Sequence, residues 1–301
     1  MSMITITNLE QTEKLAEIAE VLRSIGWGAS DILRAYYRGE AGYGNLNVQE
    51  DKKDGPVTAA DLATNHYILA KLQEVFAPEE YGYLSEETHT GTDPLPQDWV
   101  WVIDPLDGTR DFIDKTGEYA IHIALTYQGR PVVALVAIPE ANKIYYATKG
   151  GGTFVEDRSG EIKPSKVSQR NQIEELYLVA SRTHRDERFQ KLLERMPFKA
   201  RNYVGSVGCK ISTILEQQSD VYISLSGKSA PKDWDFAAPE LILTEAGGKF
   251  THFSGEPLIY NKGDVRQWGG LMASHGVCHQ ELCQLATSIL ADIDGLSLPK
   301  K

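Results

Sequence analysis

The stretch Trp99-Val-Trp-Val-Ile-Asp104-Pro-Leu-Asp107-Gly-Thr109-Arg-Asp-Phe112 constrains this chain more than any other. Its first five residues are apolar, aromatic or β-branched, the composition of a buried strand. Asp-Pro follows at once. Proline has no N–H for a ladder and biases Asp104 toward extended backbone, so the strand is expected to end there. Two carboxylates three residues apart then share a strand end with a glycine turn and a hydroxyl. Oxygen clusters of this kind hold hard divalent cations, and Mg²⁺ takes one or two carboxylates, several waters and substrate phosphate. Asp-x-x-Asp alone describes a solvated turn equally well, so the remainder of the chain has to decide.

At 301 residues the chain can bury a sizeable core, as one large domain or two packed ones. Its net charge of −11 argues against a nucleic-acid polymer as partner, which calls for a basic surface. A small anionic substrate stays open, because local cations can outweigh the global field. Cys209, Cys278 and Cys283 are too few and too irregularly spaced for a disulfide framework or a zinc site. The N-terminus has no basic stretch leading into an apolar run, and no apolar run approaches the ~20 residues that cross a bilayer. A cytoplasmic protein without membrane contact is the expectation.

Apolar spacing predicts an amphipathic helix over residues 8–25 and a second over 29–37, followed by a glycine-rich segment that could serve as a lid. The next helix begins at Pro56-Val-Thr58-Ala-Ala-Asp61, with a core face of Leu62, Ile68, Leu69, Leu72 and Phe76. Thr58 has the position of an N-cap and Asp61 that of a first-turn acid, which is a sufficient structural reason for both. Residues 81–87 read as a short strand ending in Glu86 and Glu87. If it neighbours the strand at 99–104, Glu86 and Asp104 can converge on one cation. A meander of strands is expected over 119–127, 131–138, 143–147 and 153–155, its short connections indicating antiparallel pairing. From residue 173 strand and helix alternate, which suggests a sheet with helices packed on it. The boundary is placed near 165, giving residues 1–165 as a metal-binding half and 166–301 as a substrate-binding half. Asp235 falls at the start of a helix, where an acid again has a capping explanation.

No single acid is decisive, but the set resembles a known family. Asp104-Pro-Leu-Asp107-Gly-Thr109-x-x-Phe112, with Ser85-Glu86-Glu87 upstream and Trp234-Asp235-x-Ala-Ala-x-x-Leu-x-x-x-Glu245-Ala-Gly-Gly248 downstream, resembles the inositol monophosphatase superfamily from about residue 10 to 290. These are Mg²⁺-dependent, lithium-sensitive phosphomonoesterases. Asp107-Gly-Thr-Arg-Asp-Phe-Ile, Thr116-Gly-Glu-Tyr-Ala-Ile-His-Ile-Ala-Leu125, Ser181-Arg-Thr-His184 and Gly205-Ser-Val-Gly-Cys-Lys210 look most like the bacterial 3′(2′),5′-bisphosphate nucleotidases of the CysQ type. Asp54-Gly55-Pro56 is one residue shorter than that family's Asp-Gly-Ser-Pro.

The resemblance implies a layered αβαβα sugar-phosphatase-like fold of the α+β or α/β class, with an N-terminal antiparallel sheet and a C-terminal mixed sheet flanked by helices. It implies two or three Mg²⁺ ions: one held by Glu86, Asp104 and the carbonyl of Leu106, another by Asp104, Asp107 and Asp235. Asp61 and Thr109 would orient the attacking water, and Gly108 and Thr109 would offer N–H groups to the phosphate. Arg110, Arg182, His184, Ser206 and Lys210, beside Glu86, Asp107 and Asp235, complete the expected substrate contacts. His122, inside a strand pattern, reads as structural. The expected reaction is hydrolysis of adenosine 3′,5′-bisphosphate, or its 3′-phosphosulfated relative. An inositol monophosphatase or a sugar bisphosphatase has the same metal chemistry, and a non-catalytic binding protein of the same fold is a further alternative. The partners expected are a small phosphorylated substrate and, left open, a second copy of the chain in a homodimer.

Overall fold

A computed structural model describes residues 12–40, 42, 46–51, 55–182 and 186–296. Helix α1 (Thr12–Arg38) runs without the break expected between residues 25 and 29. Gly26 and Gly28 serve packing instead. A Cβ at Gly26 would lie 2.8 Å from the methyl groups of Leu135, and one at Gly28 would collide with the Tyr67 hydroxyl. A helix-interior glycine costs roughly 0.5–1 kcal/mol against alanine, and close approach of two neighbouring elements offsets that cost. A short antiparallel ribbon, β1 (Gln49–Asp51) and β2 (Gly55–Val57), leads into α2 (Ala59–Gln73). Ile68, Leu72 and Phe76 are buried as expected, whereas Leu62 is 47% exposed and does not belong to the core face.

The first sheet follows chain order: β3 (Tyr81–Ser85), β4 (Trp99–Asp107), then, after the one-turn α3 (Thr109–Ile113), β5 (Ala120–Tyr127), β6 (Arg130–Ile138), β7 (Lys143–Thr148), β8 (Gly152–Asp157) and β9 (Ile162–Ser165). Its first pair, β3 and β4, is parallel and every later pair antiparallel. The connection from Ser85 to Trp99 crosses back along the sheet, so the carboxyl ends of β3 and β4 lie side by side. The strand β9 was not expected, because Ile162-Lys-Pro-Ser is polar and carries a proline. Both features suit an edge strand.

The second sheet is built from β10 (Tyr177–Ser181), α4 (Glu187–Arg195), β11 (Ala200–Val204), α5 (Val207–Leu215), β12 (Val221–Leu225), α6 (Asp233–Glu245), β13 (Lys249–His252), β14 (Gly270–Ser274) and α7 (His279–Ile293). Its strand order is β11-β10-β12-β14-β13, parallel across β11, β10 and β12 and antiparallel across β14 and β13. Helices α1 and α2 cover the outer face of the first sheet, α5 and α6 lie between the sheets, and α4 and α7 cover the outer face of the second. The result is the five-layer αβαβα arrangement.

Helix α6 is the centre of that sandwich. Trp234, Phe236, Ala237, Ala238, Leu241, Ile242 and Leu243 are all buried, against Val136, Ala134 and Val102 on one side and Phe250 and Tyr222 on the other. A helix apolar on nearly every face has to be buried on every face. At its end, Glu245 accepts the N–H groups of Gly150 and Gly152 at 2.8 and 3.0 Å, which fixes the glycine turn between β7 and β8.

Candidate active site

The strand β4 does not stop at Asp104. It continues through Pro105 to Asp107, and its register against β5 slips on the way: Asp104 stands opposite His122 and Asp107 opposite Ala120, three residues against two. A β-bulge leaves its extra residue without ladder bonds, so proline is tolerated there. The bulge also settles where the acids point. On a regular strand, residues three apart face opposite sides, and one inserted residue returns them to the same side. Asp104 and Asp107 thereby meet Asp235, and one oxygen from each lies within 4.8 Å of the others.

Two helix N-termini bring the remaining acids. At α2, Thr58 is the N-cap, its hydroxyl oxygen accepting Ala60 N–H at 3.1 Å, and Asp61 Oδ2 accepts Thr58 N–H at 2.8 Å and the Thr58 hydroxyl. The capping role read from sequence is therefore real, but it occupies only one oxygen. Asp61 Oδ1 accepts the Thr109 hydroxyl at 3.1 Å, and the same hydroxyl lies 3.1 Å from the carbonyl of Leu106. At α6, Asp235 Oδ2 accepts Lys232 N–H at 2.7 Å, leaving its second oxygen for the cluster. Glu86 follows directly on β3, its N–H donating to Ile103 O at 3.1 Å, which sets it beside Asp104. Ser85 donates to Asn65 Oδ1 at 2.7 Å and so ties β3 to α2.

These acids differ sharply in electrostatics. Burial, with Glu86, Asp107 and Asp235 adding repulsion, pushes Asp104 well above the carboxylate range. Burial, then Asp235 and Glu87, raises Glu86 to about 8; burial and Asp61 raise Glu87 to about 7. Asp235 rises to about 6 through burial and the charge of Asp107. Asp61 also reaches about 6 by burial, against the hydrogen bonds from Thr58 and Thr109. Asp107 goes the other way. Burial would raise it, but His122, Lys210 and Ser206 outweigh burial and hold it at about 2. Its Oδ2 accepts the Ser206 hydroxyl and, at 2.9 Å, Gly208 N–H.

A set of carboxylate oxygens that raise one another's pKa values is a site short of positive charge. Its donors are hard oxygens, which suit Mg²⁺ or a similar divalent cation rather than a thiophilic metal.

The expected substrate contacts fare unevenly. Gly108 has φ of 91°, and a Cβ there would meet Glu118 O at 3.0 Å, so glycine is required at the turn into α3. Arg110 is exposed on α3. Arg182 reaches back across the molecule, donating to Asp111 Oδ1 and Glu118 Oε1 at 2.9 Å each. Ser206 caps α5, its oxygen accepting Cys209 N–H at 3.1 Å while its proton goes to Asp107. Lys210 is buried, which lowers its pKa; its ammonium donates to Gly205 O and lies 5.4 Å from the centre of the Tyr222 ring. His184 and Asp54 fall outside the described residues. Sequence reasoning missed the part of Asp111 and Glu118, which engage Arg182, and the contact of His122 with Asp107, Nε2 to Oδ2 at 3.2 Å. Neither was visible without the pairing of β4 with β5 and the docking of β10 and β11.

Comparison with known proteins agrees with this fold. The model of the inositol monophosphatase family matches residues 14–291. A Salmonella typhimurium protein named 3′(2′),5′-bisphosphate nucleotidase CysQ is 30% identical over 248 residues, 82% of this chain and 93% of that one. The Aggregatibacter actinomycetemcomitans CysQ is 28% identical over 255 residues, 83% and 88% of the two chains. Among solved structures, the Thermotoga maritima IMPase is similar at a TM-score of 0.73 and 25% identity, covering 94% of this chain and all of that one. Among the described residues no helix is long and apolar enough to cross a membrane. With the family motifs on one bulged strand and two helix N-termini, this chain belongs to the inositol monophosphatase family.

Proposed function

We propose that the chain is a Mg²⁺-dependent phosphomonoesterase that removes the 3′-phosphate of adenosine 3′,5′-bisphosphate, giving AMP and inorganic phosphate. The observation that carries the reading is the three-aspartate cluster of Asp104, Asp107 and Asp235 beside the Asp61–Thr109 hydrogen bond. The relatives named CysQ, at 28–30% identity over four fifths of the chain, support the choice of substrate.

In this reading Glu86, Asp104 and the Leu106 carbonyl would hold one cation, and Asp104, Asp107 and Asp235 another. Divalent cations held there would supply charge neutralisation of phosphoryl oxygens, a more acidic water and stabilisation of a leaving alkoxide. The protein's own part is proton handling and orientation. Thr109 takes a proton from the attacking water as it passes its own to Asp61 Oδ1, whose raised pKa suits it to accept. Water oxygen bonds to phosphorus and keeps its second proton, and the bond to the ribose 3′ oxygen breaks. That oxygen leaves as an alkoxide that takes a proton from solvent, while Asp61 returns the proton it accepted to solvent. The N–H groups of Gly108 and Thr109 face the phosphate. The second phosphate would draw on Arg182, which Asp111 and Glu118 engage, on Lys210, which donates to Gly205 O, and on Arg110, exposed on α3.

The experiment is a panel. Phosphate release with Mg²⁺ from adenosine 3′,5′-bisphosphate, its 3′-phosphosulfated relative, inositol 1-phosphate and fructose 1,6-bisphosphate should rank the nucleotide first. Turnover of inositol phosphate without turnover of the nucleotide would replace this reading with the inositol monophosphatase one, which the likeness to the Thermotoga maritima IMPase supports.

A further inference from the structure

His122 reads from sequence as an ordinary strand residue, yet the structure sets it against two of the elements that build the site. Its ring is completely buried in the middle of β5. It stands directly across from Asp104 in the β4–β5 register. Nδ1 lies 3.3 Å from the carbonyl oxygen of Trp234, the residue before Asp235, and Nε2 lies 3.2 Å from Asp107 Oδ2. Helix α5 closes on the ring from the other side, where a Cβ on Gly208 would come within 2.6 Å of Nε2. The imidazole thus links the bulge of β4 to the first turn of α6.

Its effect falls on one particular oxygen. Asp107 Oδ2 already accepts the Ser206 hydroxyl and Gly208 N–H, and His122 Nε2 is the third polar group facing it. That contact is close but off the line of a hydrogen bond, so the nitrogen has no well-aligned partner of its own. The ring therefore acts as a wedge as much as a donor. With Oδ2 enclosed by these three groups, Oδ1 is the oxygen of Asp107 that carries none of them.

We infer that His122 is a positioning residue that fixes Asp107 as a one-oxygen ligand of the divalent cation. The inference rests on the metal-site reading proposed above. One-oxygen binding matters because Mg²⁺ demands a near-ideal octahedron, whereas Ca²⁺ accepts carboxylates through both oxygens. Groups that orient ligands from behind typically alter metal affinity or activity by about 10–100-fold when removed.

The test is calorimetric titration of Mg²⁺ alone, and of Ca²⁺ alone, into metal-free protein, with thermal melting alongside. His122→Asn and His122→Ser remove the Nε2 contact and add no bulk, and His122→Gln carries an amide nitrogen to the place of Nε2. The expected result is Mg²⁺ affinity weakened about tenfold in His122→Asn and His122→Ser, largely restored in His122→Gln, with Ca²⁺ affinity changed much less. Two variants are used so that one misfolded protein leaves the other. Wild-type Mg²⁺ affinity with a lowered melting temperature would make His122 a packing residue and overturn the inference. Equal losses for Mg²⁺ and Ca²⁺ would overturn it as well. Asp104→Asn separates the two levels of argument. If it too keeps wild-type Mg²⁺ binding, the metal site itself is misread; if it loses binding while the His122 variants do not, only the inference about His122 falls.

Discussion

Two corners of one carboxylate cluster are built on opposite plans. At the Asp107 corner, α5 supplies the Ser206 hydroxyl and Gly208 N–H, with His122 and Lys210 near, and the acid is held at about 2. At the corner of Glu86 and Asp104, few donors are present: Asp104 Oδ1 accepts Leu106 N–H at 3.0 Å, and burial and mutual repulsion raise both acids far above the usual range. The first corner is stabilised by the fold itself. The second is left short of positive charge. The difference separates an acid whose charge the fold already balances from acids whose charge it leaves unbalanced.

The largest expected effect breaks the second corner. Asp104→Asn removes the acid shared by both proposed ion sites, and a Lewis-acid contribution of several kcal/mol corresponds to a kcat reduced by roughly a thousandfold. Because the acid is unfavourable when buried without a cation, the same variant should melt at a higher temperature than wild type in chelator. A kcat within tenfold of wild type would show that Asp104 is not the shared acid. Next in size is Thr109→Val, which keeps the shape but deletes the hydroxyl bonded to Asp61. General-base assistance is worth about 10²–10⁴-fold, so kcat should fall by about a hundredfold with KM little changed, and Thr109→Ser should recover most of it. Equal rates for Thr109→Val and wild type would remove the hydroxyl from the mechanism.

The first corner predicts the opposite response in stability. Asp107→Asn leaves the donors from Ser206 and Gly208 facing a neutral amide, and hydrogen bonds to a charged group contribute about 1.5–3 kcal/mol. Urea unfolding in chelator should therefore show a loss of about that size, where Asp104→Asn shows a gain. Two variants of the same type, three residues apart, would then move stability in opposite directions. Destabilisation of the same size in both would erase the contrast.

The sequence is legible up to the point where pairing partners decide the outcome. The apolar run before Asp104 marks the central strand, and Thr58 with Asp61 marks the start of α2, because both are local properties of the chain. The bulge after Asp104 is not local. It exists only as three residues of β4 set against two of β5, and Pro105 taken alone reads as a stop. Gly26 and Gly28 look like a helix break until Leu135 and Tyr67 occupy the space they leave. Strands β9 and β11 carry polar edge sequences that no periodicity singles out. The charge on Arg182 is plain in the sequence, but its engagement by Asp111 and Glu118 depends on docking β10 against α3. The acids of the site were legible as residue types and spacings; which oxygen of each is free was not.

The smallest effect is the most direct comparison of the two corners, because pH addresses them in separate windows. Glu86, Glu87, Asp61 and Asp235 bind protons more tightly in the folded, metal-free protein than in the unfolded chain, with folded values of about 8, 7, 6 and 6. The folded state therefore carries more protons than the unfolded one from the ordinary carboxylate range near 4 up to about 8, and stability must fall as pH rises through that window. Asp107 has the opposite sign, since its folded value of about 2 lies below the unfolded one. Its stabilisation is complete above the ordinary carboxylate range and is lost only as pH drops toward 2, so it does not mask the first trend. Cations compete with the same protons, and their binding grows stronger as the acids ionise. Melting curves in chelator should thus move to lower temperature between about pH 5 and pH 8, and the shift produced by saturating Mg²⁺ should widen over the same range. A metal-free protein that gains stability from pH 5 to pH 8 would mean that the repulsion at Glu86 and Asp104 is already relieved by the fold, and the two corners would no longer differ in kind.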